Sequence, residues 1–174
     1  MKFSVTQALE ILERTPQSLE VLLSDLSEEW TTQNEGEDTW SAYDVIGHLI
    51  HGDKTDWLER VRLILSDEAD KTFVPFDRFA QFENSKGKSL TQLLAEFKEV
   101  RVNNIHQLRQ LNLQEVTLQK RGIHPTFGEV TLSQLLATWV VHDLDHLSQI
   151  SRVMAKQYSD EVGPWIAFLK ILRQ

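Results

Sequence analysis

Residues 132–154 read LSQLLATWVVHDLDHLSQISRVM, and their periodicity decides the fold. Counting in threes and fours from Leu135 gives Trp139, His142, His146, Ile150 and Val153, one stripe at helical period. Thr131 followed by Gln134 marks the start, because the hydroxyl accepts from a free N–H of the first turn and the Gln side chain reaches back. The spacing predicts a helix over 131–157. Two imidazoles interrupt the face that should be buried. At i and i+4 their Cβ atoms lie ~5–6 Å apart, and two such rings can converge on one cation at Zn–N distances of ~2.0–2.1 Å. Buried imidazoles without partners are costly. Either each donates to a carbonyl or carboxylate inside a bundle, or the two share a metal ion.

Working outward, the same start mark recurs at Ser4/Gln7, Ser41/Asp44 and Ser89/Gln92. It predicts helices over 5–29, 41–66 and 89–111, the first broken at Thr15-Pro16, where Pro removes a donor and disfavours helix in the residue before it. The third helix carries Leu90, Leu93, Leu94, Phe97, Val100, Ile105, Leu108 and Leu111 on its inner side. A short fifth helix is expected after Gly163-Pro164, with Trp165, Phe168, Leu169 and Leu172. The 112–130 link joins the third and fourth helices. The 67–88 link is long and holds Phe73, Phe76, Phe79 and Phe82 around Pro75, which predicts that it packs on the bundle. At 174 residues the chain makes one domain, 1–174, of the all-α class.

Composition excludes several functions. There is no cysteine, hence no disulfide, thiolate zinc site or cysteine nucleophile, which suits a cytoplasmic location. The net charge of −8 argues against nucleic acid or an anionic membrane as partner. No apolar run approaches the ~18 residues of a membrane span. The acids in MKFSVTQALEILERT exclude a signal peptide.

The second helix supplies a third imidazole. In TWSAYDVIGHLIHGD (39–53), His48 lies among Val45, Ile46 and Leu49 and points inward. Three histidines with open positions beside them match the ligand number of a catalytic rather than a closed structural metal site. His48 stands 7 residues into its helix and His142 stands 11 into its own. Helix offset has to absorb that mismatch of ~6 Å. His51 is a rim group or an alternative ligand, and Asp53 is placed to approach the mouth of the site. Tyr43 offers a phenol donor, so His51, Asp53 and Tyr43 are the candidates for proton handling. Asp143 and Asp145 are turned ~100° from their histidine neighbours, away from the ligand face. His124, in HPTFG, reads as a turn residue and His106 as a surface one.

With these residues in place, the sequence resembles the DinB-like superfamily, which includes YfiT-like bundles. The carrying pieces are TWSAYDVIGHLIHGD at 39–53, GIHPTFGEVTLSQLL at 122–136 and LSQLLATWVVHDLDHLSQISRVM at 132–154. The resemblance implies a four-helix bundle with up-down-down-up connectivity, the 67–88 link being a long crossover between the second and third helices. It implies a divalent metal ion (Zn, Ni, Fe or Mn) on His48, His142 and His146, and a homodimer. It also implies metal-dependent transfer of a low-molecular-weight thiol to a small-molecule substrate. Metal-dependent hydrolysis and a non-catalytic metal-binding bundle are the competing readings. An HD-type phosphohydrolase, in which Asp143 would be a ligand, ranks below them.

Overall fold

The computed structural model describes residues 1–173. Eight helices, α1 (Val5–Leu12), α2 (Thr15–Leu23), α3 (Glu28–Thr32), α4 (Ala42–Thr55), α5 (Trp57–Leu65), α6 (Ala80–Asn84), α7 (Leu90–Gln110) and α8 (Leu132–Lys156), form a four-helix bundle. Its long members are the α1–α2 pair, the α4–α5 pair, α7 and α8. Ser41, Ser89 and Thr131 each cap their helix with both reciprocal bonds in place. Ser4 makes no side-chain cap, so one of the four expected start motifs is idle.

Three elements depart from the sequence expectation. The helix expected over 41–66 is divided at Asp56, whose φ of −119° and ψ of −70° distort the helix although Asp56 still donates to the Gly52 carbonyl and accepts from the Arg60 N–H. The Asp56 carboxylate pairs with Arg60 at 2.5 Å, one turn on. The 112–130 link folds into an antiparallel hairpin, β1 (Arg121–His124) and β2 (Gly128–Thr131). The fifth helix is absent: 3₁₀ turns at Gly163–Ala167 and Lys170–Arg173 stand there, and Trp165 and Phe168 are exposed.

The 67–88 link packs inward as expected. Phe73 is buried, and its N–H donates to the Ile123 carbonyl at 2.8 Å, joining the link to β1. Gly122 is required there, since a Cβ would collide with the Phe73 ring. Gly47 is required where α6 crosses α4 against Ser85 and Gln81.

The core has two apolar clusters. One gathers Leu12, Trp57, Val61, Ile64, Ile105, Leu108, Leu136 and Trp139, and the other Leu19, Leu23, Val45, Ile46, Leu49, Leu93, Phe97 and Ile150. In sequence, the buried polar residues Asp53, Arg101, Asn104, Asp143 and His146 fall between members of one cluster and members of the other, while His48 lies beside them among Ile46 and Leu49 of the second cluster. The bundle is two apolar halves with a polar layer between.

Candidate metal centre

The floor of the site is built by α4 and α8. The Ser41 cap starts α4 so that His48 shares its inner side with Val45 and Leu49. The 3.6-residue period of α8 puts His142 and His146 one turn apart facing it. The Nε2 atoms converge: His48 to His142 is 3.2 Å and His146 to His142 is 3.1 Å. One nitrogen from each of the three rings lies within 4.8 Å of the others, a group able to hold a metal ion. Nitrogens each ~2.0–2.1 Å from one ion stand about 2.8–3.4 Å apart for octahedral to tetrahedral angles, a range that holds both separations to His142.

The electrostatics agree with that fit. Burial, then the neighbouring imidazoles, push His48 down to about 3. Burial and the same neighbours push His142 down to about 2. Burial also lowers His146. Near neutral pH the rings are therefore uncharged, the state in which imidazole is a ligand. His146 Nδ1 donates to Gln149 Oε1 at 2.7 Å, which leaves Nε2 as the lone-pair nitrogen. His48 Nδ1 and His142 Nδ1 have no hydrogen-bond partner among the described residues. Trp40 leans on His48 with ring centres 4.8 Å apart, and Trp57 meets His142 edge-on at 5.0 Å.

Above the histidines opens a cavity of about 540 Å³. Glu35, Asp38, Trp40, Arg78, Asp145 and Arg152 are among its walls. Glu35 is matched by Arg152 at 2.7 Å and by Lys156 at 3.6 Å. Arg78 pairs with no carboxylate among the described residues; its guanidinium lies 6.0 Å from the Trp40 ring centre. Asp38, held at a positive φ of 61°, and Asp145 also lack a cationic partner among the described residues.

Two of the three proton-handling candidates stand elsewhere. Asp53 does not approach the mouth: it is buried on Arg101, whose Nε and Nη2 donate to it at 2.6 and 2.9 Å. The Tyr43 hydroxyl is used on the Ser85 and Lys88 carbonyls, at 2.7 and 2.8 Å, and locks the start of α7 to α4. His51 sits on the rim, half-buried against Phe76 with ring centres 4.9 Å apart, and outside the convergent group. Asp143 is turned away from the rings into Arg101, so it is not the ligand an HD-type site would need. His124 accepts from the Thr126 N–H at its turn, and His106 is exposed. Sequence reasoning missed Arg101, Gln149 and Arg78. Arg101 was detectable, because it falls on the Leu94, Phe97, Ile105 and Leu108 stripe.

Fold and site together define a helical bundle with a three-histidine floor beneath a polar cavity. The DinB superfamily model matches residues 11–150, and the chain belongs to that family. Among solved structures it is similar to YfiT from Bacillus subtilis, described as "a probable metal-dependent hydrolase with an unusual four-helix bundle topology". The two are 19% identical with a TM-score of 0.74, over 88% of this chain and 87% of that one. It is also similar to TT2238, a four-helix bundle protein, at 20% identity and a TM-score of 0.52, over 85% of this chain and 98% of that one. No curated protein matches it significantly.

Proposed function

We propose that the protein is a metal-dependent enzyme that holds one divalent ion on the Nε2 atoms of His48, His142 and His146 and transfers a low-molecular-weight thiol to a small electrophile. The observation that supports the metal-dependent part of this reading is the convergence of three uncharged imidazoles, two buried and one half-buried, at the floor of an open cavity rather than in a closed shell; transfer of a thiol rests on the family resemblance. When bound, the ion supplies a Lewis-acidic centre that lowers the pKa of a thiol or water placed in the cavity. The chain has no cysteine, so the thiol has to arrive with a cosubstrate. Arg78 offers its free guanidinium to an anionic group of that molecule, and Trp40 lines the wall beside it. The Asp145 carboxylate, on the cavity wall, is the acceptor for the thiol proton.

Hydrolysis is the second reading, favoured by the description of YfiT. The same site would then deliver water. Metal-loaded protein, offered a panel of small thiols with a chromogenic electrophile, is expected to turn over only with the ion and with His48 intact. Cleavage of an ester or amide with no thiol-dependent rate would replace transfer by hydrolysis. No rate on either panel would leave the non-catalytic bundle.

The connectivity we propose is up-down-down-up. Contacts of α4 with α7 and the turn leading into it advance together, Tyr43 with Lys88 and Asp53 with Arg101 and Asn104. Those along α4–α5 and α8 run in opposite order, His48 with His142 and His146, then Trp57 with Trp139. The α1–α2 pair runs against α7, with Glu13 on Arg109 and Glu20 on Lys98.

A further inference from the structure

Arg101 is about as deeply buried as any side chain in the protein, at 1% exposed, and is flanked by Asp53 and Asp143, also buried. Its five N–H donors are all used. Nε and Nη2 hold Asp53, Nη1 and Nη2 hold Asp143 (the Nη2 bond at 3.0 Å), and Nη1 reaches the Leu12 carbonyl at 3.1 Å. The Phe97 and Trp139 rings lie 4.9 and 5.1 Å from the guanidinium carbon. One planar fork therefore ties the end of α1, α4, α7 and α8 together. Asn104, one turn further along α7, donates to the Asp53 carbonyl at 2.7 Å and reinforces the α4 side.

Folding alone does not call for this layer. Taking three charges out of water is expensive, and well-packed apolar residues in place of a buried ion cluster are often neutral or stabilising. Apolar clusters already flank the layer on both sides. What the fork does that an apolar plug would not is fix position along the helix axes. Asp143 directly follows His142, and Asp53 lies five residues beyond His48, ~7.5 Å along α4. A slip of α4 against α8 by one residue, ~1.5 Å, is most of a metal–nitrogen bond of ~2 Å.

We propose that Arg101 is a positioning residue: by gripping Asp53 and Asp143 in one guanidinium it sets the register at which His48 meets His142 and His146, and thereby the affinity of that trio for a divalent ion. The inference rests on the three-histidine reading above.

The test uses the full chain, freed of metal and titrated with Zn²⁺ against a chromophoric chelator, with circular dichroism and thermal melting on the same samples. Replacing the whole layer, Arg101→Leu with Asp53→Leu and Asp143→Leu, is expected to leave helical dichroism and a cooperative melt while Zn²⁺ affinity falls about 10–100-fold, the range seen when groups that orient metal ligands are lost. Arg101→Lys keeps the charge but not the fork. It is expected to weaken Zn²⁺ binding too, and serves if the triple variant does not fold. Wild-type affinity in either folded variant overturns the proposal. If the unaltered protein binds no Zn²⁺, the three-histidine reading falls and this inference with it; tight binding by the unaltered protein and the variants alike removes only the role of Arg101.

Discussion

His142 has only repulsive company for a proton: burial, two imidazoles and the Arg101 guanidinium all disfavour its charged form. His48 is in the same position, with Arg78 adding to the effect. The sign of the pH dependence follows. In the unfolded chain these groups titrate near 6.5, whereas folded they do so at about 3 and about 2. Between those values the unfolded state binds more protons, so their contribution is whole above pH 6.5 and drains away as pH falls toward 3. Metal-free protein is expected to lose stability over that window, on the order of a few kcal/mol for each of the two histidines. Urea midpoints at pH 7.5 and 4.5 measure it. His48→Phe should flatten the difference, and an unchanged pH slope in that variant would show that the drop comes from elsewhere. At the same scale, Gln149→Ala frees the His146 tautomer. It is expected to cost about tenfold in Zn²⁺ affinity with little change in melting, read by chelator competition.

Helix starts were legible where local chemistry sets them. Ser41, Ser89 and Thr131 bind the backbone of their own first turn, an interaction within four residues. Thr131→Ala is accordingly expected to lower stability by about 1 kcal/mol in chemical denaturation. Ser4→Ala, at a start where the side chain makes no cap, should stay within about 0.5 kcal/mol. The elements that escaped the sequence depend on distant partners. β1 and β2 are four residues each, and the 67–88 link docks on β1 through Phe73 and Ile123, a pairing no local window contains. The division at Asp56 has no Gly or Pro at the residue itself to announce it. It coincides with Gly52 lying under Trp57 and with the Asp56–Arg60 pair. The three histidines were legible because two share a helix face and the third sits in a recognisable start motif. Asp53 was misplaced because its partner, Arg101, is 48 residues away in sequence. An arginine on an apolar stripe was the signal that would have corrected it.

Across the whole molecule, two apolar clusters enclose the polar layer, and neither contains the imidazoles. The bundle therefore has a core without the ion, unlike small domains that fold only when metal is bound. Chelation is expected to lower the melting temperature while leaving helical dichroism in place at 25 °C. Loss of most of the helical signal on adding chelator would show that the ion, not the core, holds the bundle.

The most direct test of the central claim is the metal content of protein purified without an affinity tag, by elemental analysis, alongside the His142→Ala/His146→Ala variant. The account predicts one divalent ion per chain in the unaltered protein and none retained in the double variant, with both samples helical. A stoichiometric ion that survives loss of both histidines, or an unaltered protein that takes up no divalent ion even after incubation with Zn²⁺, would contradict it.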